Sequence, residues 1–460
     1  MPTAPAKKGK TAKAATRKLT KEELIAKAQK PNADAMRLHP FYQGKVEVSP
    51  KCCVRDFDDF AIWYSPGVAA PCRDIQKNPE KVFEHTNKAN MVAVVSDGTR
   101  VLGLGDIGPE AAIPVMEGKG LLFKYLGGVD AFPICLATKD PEEIIRTVEI
   151  LQPCFGGVNL EDISQPKCFY ILDELRRRCN IPVWHDDQQG TATVCLAGLI
   201  NALKVVGKRI QDVKIVLNGA GAANIRIGTL YMAYGAKPGN LIYVDSKGTL
   251  HKGRADLKDH REKWYMCEHT NAGNVVGGVA EALRGADVLS AASTPGPDTI
   301  KKEVIGGMKK NAICFLTANP IPEMWPWDAK EMGARVVGTG RSDFPNQVNN
   351  SIGFPGIFRG TLDVRAKTIT NEMCIAAATE LAKCAEDNGL SEDYIIPKMD
   401  ERDVFTREAV AVGMKAIEQC IARKPMKRDQ LFKIASETID RARRETQLKM
   451  QAGIIAPAPK

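Results

Sequence analysis

Short apolar runs alternate with amphipathic stretches along most of this chain, and the alternation falls into two series. In the first, runs at 91–96 (MVAVVS), 130–136 (DAFPICL), 154–158 and 181–184 read as β-strands. Helical patterns at 109–126, 141–151 and 166–179 lie between them, with Pro141, Glu142 and Pro166 suited to a first turn. The second series has strands at 213–218, 240–244, 287–291, 312–316 and 334–338. Strand-helix alternation of this kind predicts parallel sheets, hence an α/β fold of two domains. Thr191–Val206 is one unbroken helical pattern joining the series, and beyond Thr361 the chain is helical to about Gln451, with breaks at Asn388-Gly389 and Lys424-Pro425. The expected organisation is a basic tail and lead-in at 1–35, a domain at 36–190, a Rossmann-type domain at 191–370, and a helical segment at 371–460 packing on both.

Composition changes this picture little. At 44% apolar and 26% charged residues the chain has the make-up of a soluble globular protein. No stretch approaches the roughly 18 unbroken apolar residues of a membrane helix. The net charge of +9 is concentrated: Lys7, Lys8, Lys10, Lys13, Arg17 and Lys18 supply six of the nine before any acid appears. The remainder is near neutral, which argues against a nucleic-acid-binding face. The tail has no large apolar residue after Met1 to bury, so disorder is expected there. It has no apolar h-region for secretion and lacks the amphipathicity of a transit peptide, so the expectation is a cytoplasmic protein, with organelle import as the alternative. Thirteen cysteines without a C-x-x-C pair read as reduced thiols, not a zinc site.

Candidate chemistry gathers at strand ends. Asn159-Leu160-Glu161-Asp162 and His185-Asp186-Asp187-Gln188-Gln189-Gly190 each follow an apolar run. Parallel strands deliver their C-terminal ends to one edge of the sheet, where Glu161, Asp162 and Asp187 could converge. Oxygen ligands without thiolate suit Mg²⁺ or Mn²⁺; the alternative is that each couplet caps the helix after it. In the second series Gly219-Ala220-Gly221-Ala222-Ala223-Asn224 follows a strand and opens a helix, and Asp245 closes the next strand. That succession marks a dinucleotide site, with pyrophosphate at the helix N-terminus and Asp245 at the adenosine ribose. Asn224 stands where a small residue is usual, so helix and strand must pack loosely there or the amide must find a partner. Asp245 favours a free 2′-hydroxyl, whereas Lys247, Lys252 and Arg254 would pair a 2′-phosphate. The reading tilts to NADP⁺ over NAD⁺, because one acid among three cations can turn to solvent.

Other candidates have ordinary alternatives. Ser293-Thr294 and Asn319 end later strands; Asn319 would bond a ribose or a carboxylate, or simply start a turn. Asn350, in Asn349-Asn350, is equally ambiguous. Arg100, after Ser96-Asp97-Gly98-Thr99, would clamp a carboxylate. Lys119 sits between two glycines; in a dry, cation-lined cleft its pKa would fall and it would serve as a base, and otherwise it is a solvated surface lysine. Tyr64 by default is a buried aromatic with its hydroxyl satisfied.

Together the motifs WYSPGVA, SDGTRVLGLGDIGPEAAIPVMEGKG, FGGVNLEDI, HDDQQGTA, GAGAA, VDSKG, LTANPIPE and GRSDFPNQVNNSIGFPGIFRG resemble the malic enzymes, in the shorter form of bacteria and some protists, from Tyr64 to Val364. The resemblance implies oxidative decarboxylation of L-malate to pyruvate and CO₂ by a homodimer or larger homo-oligomer that binds neither nucleic acid nor membrane. It implies Tyr64 as general acid and Lys119 as general base, with Asp186 supporting Lys119. It makes Glu161, Asp162 and Asp187 metal ligands and places Arg100, Asn319 and Asn350 on substrate. Gly219, Gly221, Ala222, Ala223, Asp245, Ser246, Lys247, Ser293, Thr294 and Asn319 fall to the dinucleotide. Gln189 departs from the pattern, standing where short forms often have His. Two rivals are a malolactic-type decarboxylase without net redox and a dinucleotide-sensing protein without turnover.

Overall fold

The structure, a computed structural model, describes residues 21–401 and 403–459. The basic tail lies outside the described residues. The described chain forms two compact units. The smaller is the helix Lys21–Tyr42 with the chain end, tied by a hydrogen bond from Arg37 Nη1 to the Pro459 carbonyl. The lead-in before residue 36 is thus largely helical; Pro31 and Pro40 inside the helix, residues that disfavour helix interiors, hide it from a reading of the sequence.

The larger unit, 44–457, holds two sheets. Met91–Ser96 (β1), Asp130–Cys135 (β2), Gly157–Leu160 (β3) and Val183–His185 (β4) form an all-parallel sheet in the order β2-β1-β3-β4. Ile215–Asn218 (β5), Leu241–Asp245 (β6), Gly248–Thr249 (β7), Val288–Ala291 (β8), Ala312–Leu316 (β9) and Ala334–Thr339 (β10) form the second, ordered β10-β9-β8-β5-β6-β7. It is parallel except for the β6–β7 hairpin, which the sequence reading does not contain. All nine predicted strands form, and β3 starts three residues later than the expected run at 154–158.

Strands buried on both faces explain the continuous apolar runs. Ile215 and Leu217 point into a core shared with Val92, Val158 and Leu160 of the first sheet, while Val216 and Ile242 face a second cluster. The helix Thr191–Val206 crosses that shared core. With the preceding turn it is long and apolar enough to cross a membrane, but it is 83% buried inside the protein, which makes it a core helix. Helices Asn371–Asp387, Val404–Glu418 and Arg428–Gln451 follow, separated near both expected breaks.

Each sheet has one place where neighbouring strands are not consecutive and the connections leave in opposite directions: between β1 and β3, and between β5 and β8. Open α/β sheets bind ligands in the crevice beyond the strand ends at such a point. The segments 97–100 and 161–162 flank the first; Gly219 and Ser293 flank the second.

Candidate active site

Parallel pairing of β3 with β4, Leu160 opposite His185, brings the two acidic couplets together. One carboxylate oxygen each from Glu161, Asp162 and Asp187 lies within 4.8 Å of the others. Glu161 and Asp162 are buried, and Asp187 is half-buried. Backbone geometry fixes them. Asp162 takes a left-handed conformation (φ +55°), its N–H donates to Asp187 Oδ2 (2.9 Å), and its carbonyl accepts from the Arg100 N–H (2.9 Å). Asp186 and Asp187 open a π-helical turn, Asp186–Gly190, that leads into the helix Thr191–Val206. The alternative reading of this couplet as a helix cap does not hold: the helix Thr191–Val206 has Gly190 at its N-cap and no side-chain cap.

Lys119 meets this cluster from the helix Pro109–Gly127, which continues through both neighbouring glycines. Its ammonium pairs with Asp186, lies 3.2 Å from Glu161 Oε1, and rests over the Phe354 ring at 4.4 Å. Trp184 Nε1 donates to Asp186 (3.1 Å) and Asn159 Nδ2 to Glu161 (2.8 Å), which holds both carboxylates toward the lysine. The lining is therefore anionic, where the sequence reading assumed cations, and this reverses the expected shift. Burial lowers the pKa of Lys119, but Asp186 and Glu161 outweigh it and hold the group charged. Burial, with Asp187 and Asp186 close by, drives Glu161 well above the ordinary carboxylate range despite Lys119. Asp162 is raised by the same burial and by Asp187. His185, buried beneath, is pushed by burial down to about 3 and is neutral.

The donor set fits a hard divalent cation. It is all oxygen, and Asp162 Oδ2 is buried with no hydrogen-bond partner. Raised carboxylates carry a stability consequence. The folded chain keeps protons that the unfolded chain has released, so the contribution of Glu161 and Asp162 to stability falls as pH rises through the unfolded carboxylate range near 4. Asp162→Asn in the presence of a chelator is expected to melt a few degrees above the unsubstituted protein at neutral pH, with the gap narrowing toward pH 4. Equal melting temperatures across that range would show that the carboxylate is compensated.

Substrate-side candidates stand on loops around this cluster. Arg100 is exposed, with Nη1 on its own loop at the Leu102 carbonyl (2.8 Å). That loop crosses to the second sheet: at Gly103 it closes on the Asn319 carbonyl and the Pro295 ring. Asn350 lies against the turn at Gly190. The Arg100 loop and Asn319 are thus neighbours through Gly103, and Asn350 adjoins the acidic turn at Gly190. Tyr64 does not join them. It ends the short helix Asp59–Trp63 and is 73% exposed, so the expectation of a buried aromatic is wrong.

At the second switch point Gly219 (φ +96°) passes so close that a β-carbon would lie 2.5 Å from the Ala292 carbonyl. Gly221 precedes the helix Ala222–Tyr234, whose first residues are Ala222 and Ala223. Asn224 does find partners. Fully buried, its amide donates to the carbonyls of Asn218 (2.8 Å), Gly219 (3.0 Å) and Ser290 (3.3 Å), and its oxygen accepts from Ser290 Oγ (3.2 Å). A cleft of about 480 Å³ opens beyond β5 and β6, lined by Asn218, Asp245, Ser246, Lys247 and Arg254 among others. Asp245 has not turned to solvent. Arg254 Nη1 and Nη2 clasp it at 3.0 Å each, Lys263 lies 3.6 Å away, and Arg254 Nε reaches Asp256 at 2.8 Å.

Sequence reasoning missed two organising residues. Glu323, inside the quoted LTANPIPE, is buried and accepts from the N–H groups of Ser293 (2.7 Å) and Ala318 (3.1 Å), tying the loops after β8 and β9 and holding the Ser293-Thr294 segment. Lys167 donates to buried Asp97 (2.5 Å), whose other oxygen takes the Thr99 hydroxyl (2.6 Å) and so shapes the loop before Arg100. Local pattern signals neither: Ser293 lies thirty residues from Glu323, and Asp97 seventy from Lys167.

The comparisons with known proteins agree along the chain. The malic enzyme N-terminal domain matches residues 43–176, and the malic enzyme NAD binding domain matches 188–324 and 334–418. A bifunctional malic/malolactic enzyme of Bacillus subtilis is 50% identical over 391 residues, 85% of this chain and 94% of its own length. An NAD-dependent malic enzyme of Geobacillus stearothermophilus is 49% identical over 83% of this chain and 78% of its own. The crystal structure of an Entamoeba histolytica malic enzyme superposes with a TM-score of 0.94 at 48% identity, covering 96% of this chain and 93% of that one.

Proposed function

This chain belongs to the malic enzyme family, a decarboxylating malate dehydrogenase that uses a nicotinamide dinucleotide, and we propose that Lys119, Tyr64 and the Glu161–Asp162–Asp187 cluster carry out its oxidative decarboxylation of L-malate to pyruvate and CO₂. The observation that supports this assignment is the contact of one buried lysine with two of the four clustered carboxylates at the strand ends of the first sheet. Glu161, Asp162 and Asp187 would hold Mg²⁺ or Mn²⁺, which would supply a Lewis acid for the C2 oxygen and positive charge to counter the carboxylates that keep Lys119 protonated.

The chain's own groups then have separate tasks. Arg100 and Asn350 would orient the malate carboxylates, and Asn319, whose backbone carbonyl adjoins Gly103, would bond the nicotinamide ribose. Lys119 would take the C2 hydroxyl proton, and the bound dinucleotide would supply the hydride acceptor for C2. Asp186, hydrogen-bonded to Trp184, keeps the lysine aimed. The bond to C4 then breaks, CO₂ leaves, and the electron pair remains as an enolate. Tyr64 gives C3 a proton, which balances the proton taken at O2. Malate is the substrate partner, and the working unit is a homodimer or larger homo-oligomer.

For the cofactor the clasp on Asp245 reverses the tilt toward NADP⁺. All three nitrogens of Arg254 are engaged by Asp245 and Asp256, and Asp245 stays at the strand end where a free 2′-hydroxyl is read. NAD⁺ is the preferred dinucleotide. Saturation curves with malate and Mn²⁺ test both readings together: pyruvate and reduced nicotinamide form in equal amounts, with NAD⁺ saturating first. Asp245→Ala frees the guanidinium and improves NADP⁺ affinity roughly tenfold to a hundredfold, the scale of a charge-assisted hydrogen bond. Lactate without reduced nicotinamide would instead support the malolactic rival.

A further inference from the structure

Behind the acidic turn lies a group of hydrogen-bond donors that lack acceptors. Gln189 is 1% exposed, and its Oε1 accepts the His185 N–H (3.1 Å). That bond turns the amide nitrogen to the other side, where Nε2 is buried with no hydrogen-bond partner. Arg226, on the helix Ala222–Tyr234, donates Nη2 to Gln188 Oε1 (3.2 Å), and its Nε–H is likewise buried without an acceptor. Arg176, on the helix Lys167–Arg178, donates Nε to the Val183 carbonyl (3.2 Å) and Nη2 to that of Ile369 (2.6 Å). Among the described residues no carboxylate lies within 4.0 Å of either guanidinium. Asp173, the acid that most favours a charged Arg226, is exposed and pairs with Arg261 (3.2 Å) instead.

Two like charges taken out of water are costly, and buried donors without acceptors add to the cost. Burial, with Arg226 beside it, brings Arg176 down to about 10. The same donors surround the thiol of Cys374, on the helix Asn371–Asp387. Burial raises that thiol, while Arg176, the Thr193 hydroxyl, Arg226 and the Gln189 amide pull against it. The surroundings therefore favour a negative charge, which a thiol kept protonated by burial does not supply.

We propose that Arg176, Arg226 and Gln189 bind a small inorganic anion, of the size of chloride, behind the turn that carries Asp186 and Asp187. A monatomic ion suits walls this closed, since Gln188, Gln189, Thr193 and Cys374 are all buried. It accepts from N–H groups in several directions and offers no donor of its own. A water molecule would take the same hydrogen bonds but leave both charges unneutralised. Bonded to Gln189 and, through Arg226, to Gln188, the ion holds the two residues that follow Asp187, and so steadies the turn from which both acids project.

Melting of the full chain, with chelator present and no dinucleotide, tests this in sodium chloride against sodium methanesulfonate at equal ionic strength. Chloride is expected to raise the melting temperature by a few degrees and to saturate, as a ligand bound only by the folded state does. Arg226→Met, checked for folding by circular dichroism, should melt alike in the two salts. An equal chloride effect in that variant places the ion elsewhere and overturns the proposal, as does the absence of any effect in the unsubstituted protein. Crystals of the unsubstituted protein soaked in bromide give a reading that needs no variant. An anomalous peak among Arg176, Arg226 and Gln189 is expected, and its absence would mean that water satisfies these donors. A peak without the chloride effect in solution is binding at crystal concentration only, and it too sinks the idea. Cys374→Ser should keep the chloride effect. If the effect appears only in that variant, the Cys374 thiolate already neutralises the pair and the proposal falls.

Discussion

Asp187→Ala is expected to abolish malate oxidation at any Mn²⁺ concentration. Two effects act together. The proposed metal site would lose one of its three oxygen ligands, and with it a negative charge that would attract the ion. Asp187 also accepts the Asp162 N–H at 2.9 Å, in a residue whose left-handed backbone aims the second ligand. Truncation therefore loosens a neighbour as well as deleting a group. Titrating Mn²⁺ against the variant by its paramagnetic signal separates the two outcomes: absent binding accompanies absent turnover. Normal turnover at saturating Mn²⁺ would move the metal site elsewhere.

Lys119→Ala is the second large effect, a loss of 10²–10⁴-fold in both malate oxidation and oxaloacetate reduction. Each direction moves a proton at the C2 oxygen, so one group should govern both. The substitution also leaves Asp186 and Glu161 buried without their cation, an arrangement that ordinarily destabilises a protein. Circular dichroism and melting must therefore accompany the kinetics. A folded variant that loses decarboxylation and keeps oxaloacetate reduction would assign the lysine to the later proton transfer.

The alternation of apolar runs made both sheets legible, because strands buried on two faces leave a strong local trace. The acidic cluster was equally legible, since parallel pairing alone forces the ends of β3 and β4 together. Where the sequence reading fails, the cause lies in the third dimension. Strand β3 extends to Leu160 and includes Asn159, a polar residue tolerated there because its amide serves Glu161. Lys119 was expected among cations, but Asp186 comes from sixty-seven residues away. Glu323 and Lys167 act on loops that adjoin them only after folding. Tyr64 shows the limit most plainly: its motif is distinctive, yet no local signal says that its side chain points away from its own chain's core.

The hydrogen bonds of Asn224 bear on how the dinucleotide is received. One buried amide ties the end of β5, the glycine turn and β8, so the turn proposed to meet the pyrophosphate cannot shift without breaking several bonds at once. Flexible binding loops lose entropy when they close on a ligand, of order 0.5–1.5 kcal/mol for each side chain immobilised. A cradle already held in its bound shape escapes most of that loss, so the entropy of binding falls mainly on the dinucleotide's own torsions.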